Sequence, residues 1–491
     1  MECVSMVLTV LIVIFYLTVL MTPNVSASND VVKGGAELHS PFGSHPASVY
    51  RRGYRENPFA DAMNIGIRWT REKLYAYWFL IQKDLDKNIY DFSLLDKQFG
   101  RIPRGMKILA NIAPQGLIDE GRCVSGSWLP INEAKYEDFV QTTVERYDGD
   151  GINDMPGLIN PIRYWQVGNE PDFMSPRFTS RTNFSGLQRI TYQAIKAADA
   201  SSTVLLGGVA GFPSHYIVHF DTRFAPILKD LGGRYVDVFD FHWYGKADGD
   251  YRLRDKITGE DVLEHIRAKL AHYAFPRTIP IWITEMGSYS GNPSRKFFPQ
   301  QTERQQASDY FKRYIYSLWH GVKKIFLVMG MMEGFKPIPN DYFDHTGLIY
   351  DGQYEGDLGL GVKKLAYYTY KKMTGCLEGA DWTTIICLHD GTKSDHLYLF
   401  RVMKENHPIY VAWWDYFDEP IYTNGATKSI TLTGLTGKAI AVTAVVPTAK
   451  TGKAVTNYHS AFYTTVCSVS NGSVTITLGK DPVFIEPVHG Q

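Results

Sequence analysis

Residues 279–329 contain one complete strand–helix–strand unit. Ile279-Pro-Ile-Trp-Ile-Thr284 is a short apolar run, and Lys-Ile-Phe-Leu-Val-Met at 324–329 is a second one. Between them, Ala-Ser-Asp-Tyr-Phe-Lys-Arg-Tyr-Ile-Tyr-Ser-Leu-Trp at 307–319 carries apolar side chains at helical spacing, in one broad stripe. Two strands joined by such a helix are the building block of folds with a parallel sheet.

The same alternation recurs over most of the chain. Each apolar run is followed by a polar or glycine-containing loop and then usually by a helical pattern, which predicts a closed (β/α)8 TIM barrel over residues 28–377. The eight predicted strands are Ala36–Ser40, Ile65–Thr70, Lys107–Ala113, Ile162–Val167, Thr203–Val209, Val236–Trp243, Ile279–Thr284 and Lys324–Met329.

The pattern changes at about residue 378. Segments such as 397–400, 409–414 and 474–478 are rich in β-branched and aromatic residues, with Gly, Asn and Thr between them and no helical period. We therefore expect a C-terminal all-β sandwich domain over 378–491. No low-complexity linker precedes it, so the two domains are expected to pack directly.

The amino terminus has the pattern of a secretory signal peptide. Val7–Met21 is apolar, and Val25-Ser26-Ala27 offers small residues for cleavage, which predicts a leader at 1–27 and a secreted or extracytoplasmic protein. Because no Lys or Arg precedes the apolar run, an uncleaved membrane anchor is the alternative. Of the three pairings open to the cysteines after the leader, Cys376 with Cys387 is favoured because they are close in sequence.

Composition excludes two classes of protein. Lys plus Arg and Asp plus Glu are both 51, so the chain lacks the basic excess of a nucleic-acid binder. Aromatic residues make up 14% of the chain, which is too many for a disordered protein. Neither nucleic acid nor a membrane, apart from the leader, is expected as a partner.

Two glutamates follow strands whose carboxyl ends share one rim of the barrel. Glu170 ends the fourth predicted strand in Tyr164-Trp-Gln-Val-Gly-Asn-Glu-Pro-Asp172, and Glu285 follows the seventh in Ile281-Trp-Ile-Thr-Glu-Met-Gly287. Active groups of this fold lie at that rim. Two facing carboxyls, one protonated and one ionised, are what cleavage of a glycosidic bond requires.

With these motifs the sequence resembles the clan A glycoside hydrolases. Further matches are Gly66-Ile-Arg-Trp-Thr-Arg71 and Asp240-Phe-His-Trp-Tyr-Gly245, and within the clan the chain is most similar to family 39, the β-xylosidases, α-iduronidases and exopolysaccharide-cleaving enzymes. The resemblance implies that Glu170 is the general acid/base and Glu285 the nucleophile. It also implies cleavage with retention, on an oligosaccharide or polysaccharide substrate.

The resemblance also implies four substrate-binding residues. Asn169 would bind the sugar 2-hydroxyl, Tyr244 and Arg71 would bind the nucleophile and keep it ionised, and His242 would line the site. Arg68 is an alternative to Arg71 on the same strand, and His242 is also explained as a core histidine.

The chain departs from the clan at the end of the eighth strand, where a tryptophan is common. Here the sequence is Phe326-Leu-Val-Met-Gly330. Glu333, Tyr342 and Asp344 in the following loop are candidates for sugar contacts, or ordinary polar loop residues.

The sequence leaves two alternatives to a glycosidase. The protein could be a carbohydrate-binding scaffold that has lost turnover, although the intact Glu170 and Glu285 argue against this. A metal-dependent hydrolase would need a His/Asp cluster, but only His39 and His242 occur near strand ends. No feature demands a metal or organic cofactor. The sugar, the linkage and the choice between internal and terminal cleavage stay open.

Overall fold

The computed structural model describes residues 40–51, 53–173, 181–211, 214–293, 298–334, 341–353, 356–391, 395–415 and 426–488. The predicted signal peptide lies outside these ranges. Within them, no helix has the length and apolarity needed to span a membrane.

Nine short strands build a parallel barrel, in the order β6-β5-β4-β2-β1-β9-β8-β7 with β3 added beside β4. The ring is completed between β6 and β7 by parallel bridges from Leu205 to Val238 and from Val209 to Phe241. The strands are β1 Phe42–His45, β2 Trp69–Thr70, β3 Ala76–Tyr77, β4 Lys107–Ala113, β5 Tyr164–Val167, β6 Thr203–Leu205, β7 Phe239–Trp243, β8 Ile281–Gly287 and β9 Val322–Val328.

Helices surround this ring. The longest, α9, has a capping box in which Thr302 and Gln305 satisfy each other's backbone N–H groups, which fixes where it begins. The helices are α1 Ala60–Asn64, α2 Trp78–Ile81, α3 Ser93–Phe99, α4 Glu133–Tyr147, α5 Phe184–Ala198, α6 Tyr216–His219, α7 Ala225–Leu231, α8 Val262–His272, α9 Glu303–Trp319 and α10 Leu365–Leu377; a π-helical turn, Phe220–Phe224, joins α6 to α7.

The predicted TIM barrel is confirmed, with one strand displaced. The first barrel strand is Phe42–His45, whereas Ala36–Ser40 was predicted; of the latter only Ser40 is described, and it lies outside any strand. β1 contains one large apolar residue, so hydrophobic patterning does not reveal it. Gly43 is required there because a Cβ atom would lie 2.8 Å from the Phe326 ring.

A separate cluster of buried apolar side chains lies among the barrel strands. Trp69 opens β2 and Trp282 is the second residue of β8, whereas Leu205 ends β6 and Phe326 is the fifth residue of β9. The members of the cluster are Trp69, Leu109, Leu205, Val238, Trp282 and Phe326.

The C-terminal strands form two antiparallel sheets, one of six strands and one of two. Side chains from both, such as Leu399 and Ile476, bury each other in a separate core, as expected of a sandwich. The strands are β10 Asp381–His389, β11 Leu397–Lys404, β12 His407–Trp414, β13 Lys428–Leu432, β14 Ala439–Ala444, β15 Thr464–Ser468, β16 Val474–Leu478 and β17 Val483–Pro487.

The sandwich packs directly on the barrel, mainly against α9. Lys312 and Asp415 form a buried ion pair of 2.9 Å, and the Trp413 indole donates to the Tyr251 hydroxyl at 3.1 Å. Ser40–Gln491 is one compact unit. The domain boundary at 377/378 stays a prediction, although α10 ends at Leu377 and β10 begins at Asp381.

The favoured disulfide between Cys376 and Cys387 is wrong. Both thiols are free, as are those of Cys123 and Cys467. Cys376 lies in the last turn of α10, whereas Cys387 lies on β10 opposite Phe400, so proximity in sequence does not bring the two sulfurs together.

Candidate active site

Glu285 is buried at the barrel rim, where it accepts hydrogen bonds on both carboxylate oxygens. It is the fifth residue of β8, and 4% of it is exposed. Arg71 Nη1 donates to Oε1 at 2.6 Å, and the Tyr244 hydroxyl donates to Oε2. His45 Nε2 lies 3.6 Å from Oε1.

These contacts keep the Glu285 carboxylate ionised. Burial by itself raises the pKa of Glu285, but the charges of His242 and Arg71 and the Tyr244 hydroxyl outweigh it and hold that pKa well below its usual value. His45 contributes no charge at neutral pH, since burial and the nearby Arg71 lower its pKa to about 3.

Arg71 organises the rim through all three nitrogens of its guanidinium group. Nη2 donates to Asn169 Oδ1 at 2.6 Å, and Nε donates to Gln166 Oε1 at 2.7 Å and to Asn111 Oδ1 at 3.0 Å. The side chain is fully buried directly after β2. The competing Arg68 makes a different contact, from Nη1 to the Ile67 carbonyl at 3.5 Å, so Arg71 is the arginine beside Glu285.

Glu170 occupies a more open position across the rim. Its backbone has a φ of 48°, in the left-handed region, and its N–H donates to the Gly207 carbonyl at 2.7 Å. Its side chain is 18% exposed, against 5% for Glu285. Oε1 and His242 Nδ1 are joined by a hydrogen bond of 2.7 Å.

His242 is a buried link between the two glutamates. Nδ1 is also 3.8 Å from Glu285 Oε2. Burial lowers the pKa of His242, but Glu285 and Glu170 outweigh it, and the net direction is upward. The ring packs against Gly208, where a Cβ would lie 2.4 Å from Nε2, and the φ of +70° at that position also favours glycine.

The two carboxylates are close together. One oxygen of Glu170, one oxygen of Glu285 and a nitrogen of His242 all lie within 4.8 Å of one another. Such a group could hold a metal ion. However, the Arg71 guanidinium, 2.6 Å from Glu285, already places a positive charge beside the carboxylate and would repel a cation there.

The loop after β9 contributes an aromatic wall. Tyr342 and Phe343 pack edge-on against Tyr244 at ring separations of 6.0 and 5.3 Å. Glu333 forms a buried ion pair with Lys364, which indicates a structural role, although burial raises the pKa of Glu333 to about 8. Asp344 is fully buried.

The structure therefore brings Arg71, Asn169, Glu170, His242, Tyr244 and Glu285 together, as the sequence predicted. Sequence reasoning missed His45, which lies on the unrecognised β1, and an aromatic row after Arg71. The sequence signal for that row is the placement of aromatic residues at every second position, 75, 77 and 79, in Leu74-Tyr-Ala-Tyr-Trp-Phe79.

Comparison with known proteins defines the class of fold. No protein-family model and no curated protein sequence matches the chain. Among solved structures it is similar to a family 39 glycoside hydrolase from Bacteroides cellulosilyticus WH2, with a TM-score of 0.61 and 16% identity over 92% of this chain and 82% of that one. The chain has the fold of the clan A glycoside hydrolases.

Two further structures agree. A glucosidase from Croceicoccus marinus has a TM-score of 0.60 and 16% identity, covering 92% of this chain and 97% of that one. A family 30 subfamily 8 xylanase from Clostridium acetobutylicum has a TM-score of 0.54 and 13% identity, covering 91% and 96%.

Proposed function

We propose that the protein is a secreted retaining glycoside hydrolase that cleaves O-glycosidic bonds by double displacement. The observation that carries this proposal is the pair of carboxyls in unlike settings. Glu285 is buried and held ionised by Arg71 and Tyr244, whereas Glu170 is more open and paired with His242. One oxygen of each carboxyl lies within 4.8 Å of the other, and a close approach of the two carboxyls is what direct nucleophilic attack with retention requires.

In the first step Glu285 attacks the anomeric carbon and Glu170 protonates the departing oxygen. The bond from C1 to the leaving oxygen breaks as the bond from C1 to Glu285 forms, which gives a glycosyl-enzyme ester. Asn169, whose amide oxygen accepts from Arg71, is positioned with its amide nitrogen available to the sugar 2-hydroxyl.

In the second step water hydrolyses that ester. The negative charge of Glu285 is absent from the ester, so the Glu170–His242 pair loses a neighbour that favours its protonation. Glu170 then removes a proton from water as the hydroxide equivalent attacks C1. Glu285 leaves as a carboxylate, and the configuration at C1 is retained.

The similar structures guide the choice of substrate. A glucosidase and a xylanase are among them. We therefore propose a saccharide of glucose or xylose type as the first candidate, presented as an oligosaccharide or polysaccharide.

The test uses the secreted form from Ser28 with 4-nitrophenyl β-D-glucoside and β-D-xyloside. Proton NMR of the first product should show the β-anomer, and a 2-deoxy-2-fluoro glycoside should label the peptide containing Glu285. Glu285→Gln should abolish turnover, and Glu170→Gln should spare the first step for a good leaving group. Glu133→Gln, at an exposed position on α4, is the matched control.

Two results would contradict the proposal. Release of the α-anomer would mean inversion, and full activity in Glu285→Gln would remove the nucleophile assignment. Glycan binding without turnover on any substrate would instead support the scaffold alternative.

A further inference from the structure

A cavity of about 350 Å³ opens beside Asn169 at the barrel rim. Pockets of about 300–1,000 Å³ are the size that binds small organic ligands. A larger cavity of about 560 Å³ lies near α8 and Asp390 and includes none of the six site residues. The smaller cavity is lined by Tyr75, Tyr77, Phe79, Gln115, Gly116, Leu117, Ile118, Glu120, Trp128, Gly168 and Asn169.

Three aromatic rings form one wall of this cavity. Tyr75, Tyr77 and Phe79 are half-buried, whereas Ala76 and Trp78 between them are buried. Tyr75 and Tyr77 flank Ala76 on an extended segment and therefore share one side, and Phe79, the second residue of α2, lines the same cavity. Their centroids are 5.5 Å and 5.6 Å apart along the row.

The row begins at the reaction centre and leads away from it. The Tyr75 ring lies 5.3 Å from the Arg71 guanidinium carbon, and Arg71 binds Glu285. Tyr77 is fixed by β3, which pairs with β4 through Tyr77 and Ala113. The wall is therefore built before any ligand arrives.

The cavity lies across the rim from His242, the hydrogen-bond partner of Glu170. Glu170 is hydrogen-bonded to His242 of β7, whereas the described lining of the cavity comes from β3 and its neighbours and from the segments after β4 and β5, and β4 lies three strands from β7 around the ring. Asn169, to which the proposed function assigns the 2-hydroxyl of the reacting sugar, is one of the lining residues. The cavity therefore adjoins the sugar that carries any non-reducing extension.

We propose that this aromatic row binds additional sugar residues on the non-reducing side of the cleaved bond, so that the preferred substrate is an oligosaccharide chain. Pyranose rings expose flat C–H faces that pack on aromatic rings. Glu120 is the one charged side chain among the described lining residues, so the cavity offers no cation for a uronate and favours neutral sugars. The inference rests on the proposed function.

The experiment compares 4-nitrophenyl β-glycosides of a mono-, di- and trisaccharide, in both the xylose and the glucose series. The leaving group is constant, so only the non-reducing extension changes. We expect kcat/KM to rise at least about tenfold from mono- to trisaccharide. Tyr77→Ala should reduce that ratio about three- to tenfold, since one aromatic contact is lost. Tyr77→Phe should retain most of the ratio of kcat/KM between the tri- and monosaccharide substrates. Phe79→Ala should reduce this ratio as Tyr77→Ala does.

Tyr463→Ala, an exposed aromatic of the C-terminal sheets, is the matched control and should leave the ratio unchanged. Binding of xylotriose, cellotriose, xylose and glucose by calorimetry supplies a readout independent of catalysis. Equal kcat/KM and equal affinity for short and long saccharides would refute the proposed role of the aromatic row, but would leave the proposed glycosidase function standing. Tight trisaccharide binding that depends on Tyr77, without turnover, would refute the proposed glycosidase function but support sugar binding by the aromatic row.

Discussion

Replacing His242 by Asn tests how the acid holds its proton. The asparagine amide can keep an N–H donor near the Nδ1 position, 2.7 Å from Glu170, but it cannot titrate. In the native protein burial lowers the pKa of His242, but Glu285 and Glu170 outweigh burial, so the ring beside Glu170 holds a proton that an asparagine cannot. The raised pKa of His242 places the loss of this proton above about 6.5, the ordinary imidazole value.

The magnitude follows from the geometry. One unit charge 3.8 Å from His242 Nδ1, the distance to Glu285 Oε2, contributes about 4 kcal/mol of attraction at an effective dielectric constant near 20, offset in part by burial. His242→Asn removes the imidazole that holds this proton, so the alkaline limb of kcat/KM should move to lower pH.

The assay is the pH dependence of kcat/KM for an aryl glycoside that the native enzyme hydrolyses. His265→Asn is the control, because His265 pairs with Asp221 at 2.8 Å away from the rim. The variant should retain measurable activity at acidic pH, and its alkaline limb should move downward. An unmoved limb in an active His242→Asn protein would show that the acid does not share its proton with this ring.

Three other perturbations have defined outcomes. Glu285→Gln should flatten the loss of stability on acidification. Because the pKa of Glu285 is depressed in the folded protein, its ionisation stabilises the fold above the unfolded-state pKa of about 4.5, and this contribution is lost progressively as the pH falls from there towards the folded-state pKa, so the urea unfolding midpoints of wild type and variant should draw together over that range. Gly208→Ala should lower the free energy of unfolding by about 1–3 kcal/mol and reduce activity, since its Cβ would displace His242; wild-type kcat/KM in a folded variant would contradict this. Lys312→Met should destabilise by about 3–5 kcal/mol, because Asp415 stays buried without its closest cation; an unchanged melting temperature would refute the role of this pair.

Sequence patterns predicted the barrel well wherever a strand is long and apolar. Lys107–Ala113 matches β4 to the residue, because all but its first side chain are buried and read as a continuous apolar run. β1 was not predicted because the small residues Gly43 and Ser44 are required by the nearby Phe326 ring and by backbone pairing with β2 and β9. These are tertiary contacts, and they produce no hydrophobic period in the sequence.

The site was predictable for a related reason. Glu170 and Glu285 follow strands of one parallel barrel, so topology alone puts them on one rim. What sequence could not give is which group each one contacts. The sequence favours Arg71 over Arg68 only because Arg71 lies nearer the strand end, whereas the structure shows the Arg71 guanidinium contacting Glu285, Asn169 and Gln166.

The ion pair between Lys312 and Asp415 has a practical consequence for the production of this protein in pieces. α9 follows the strand that carries Glu285, and one of its faces is covered by the C-terminal sheets, where Phe311 meets Phe484 at 5.3 Å. A truncated protein ending near residue 378 would expose that apolar face and a buried lysine to solvent. The barrel should therefore be expressed, crystallised and evolved together with its sandwich, as a single folding unit.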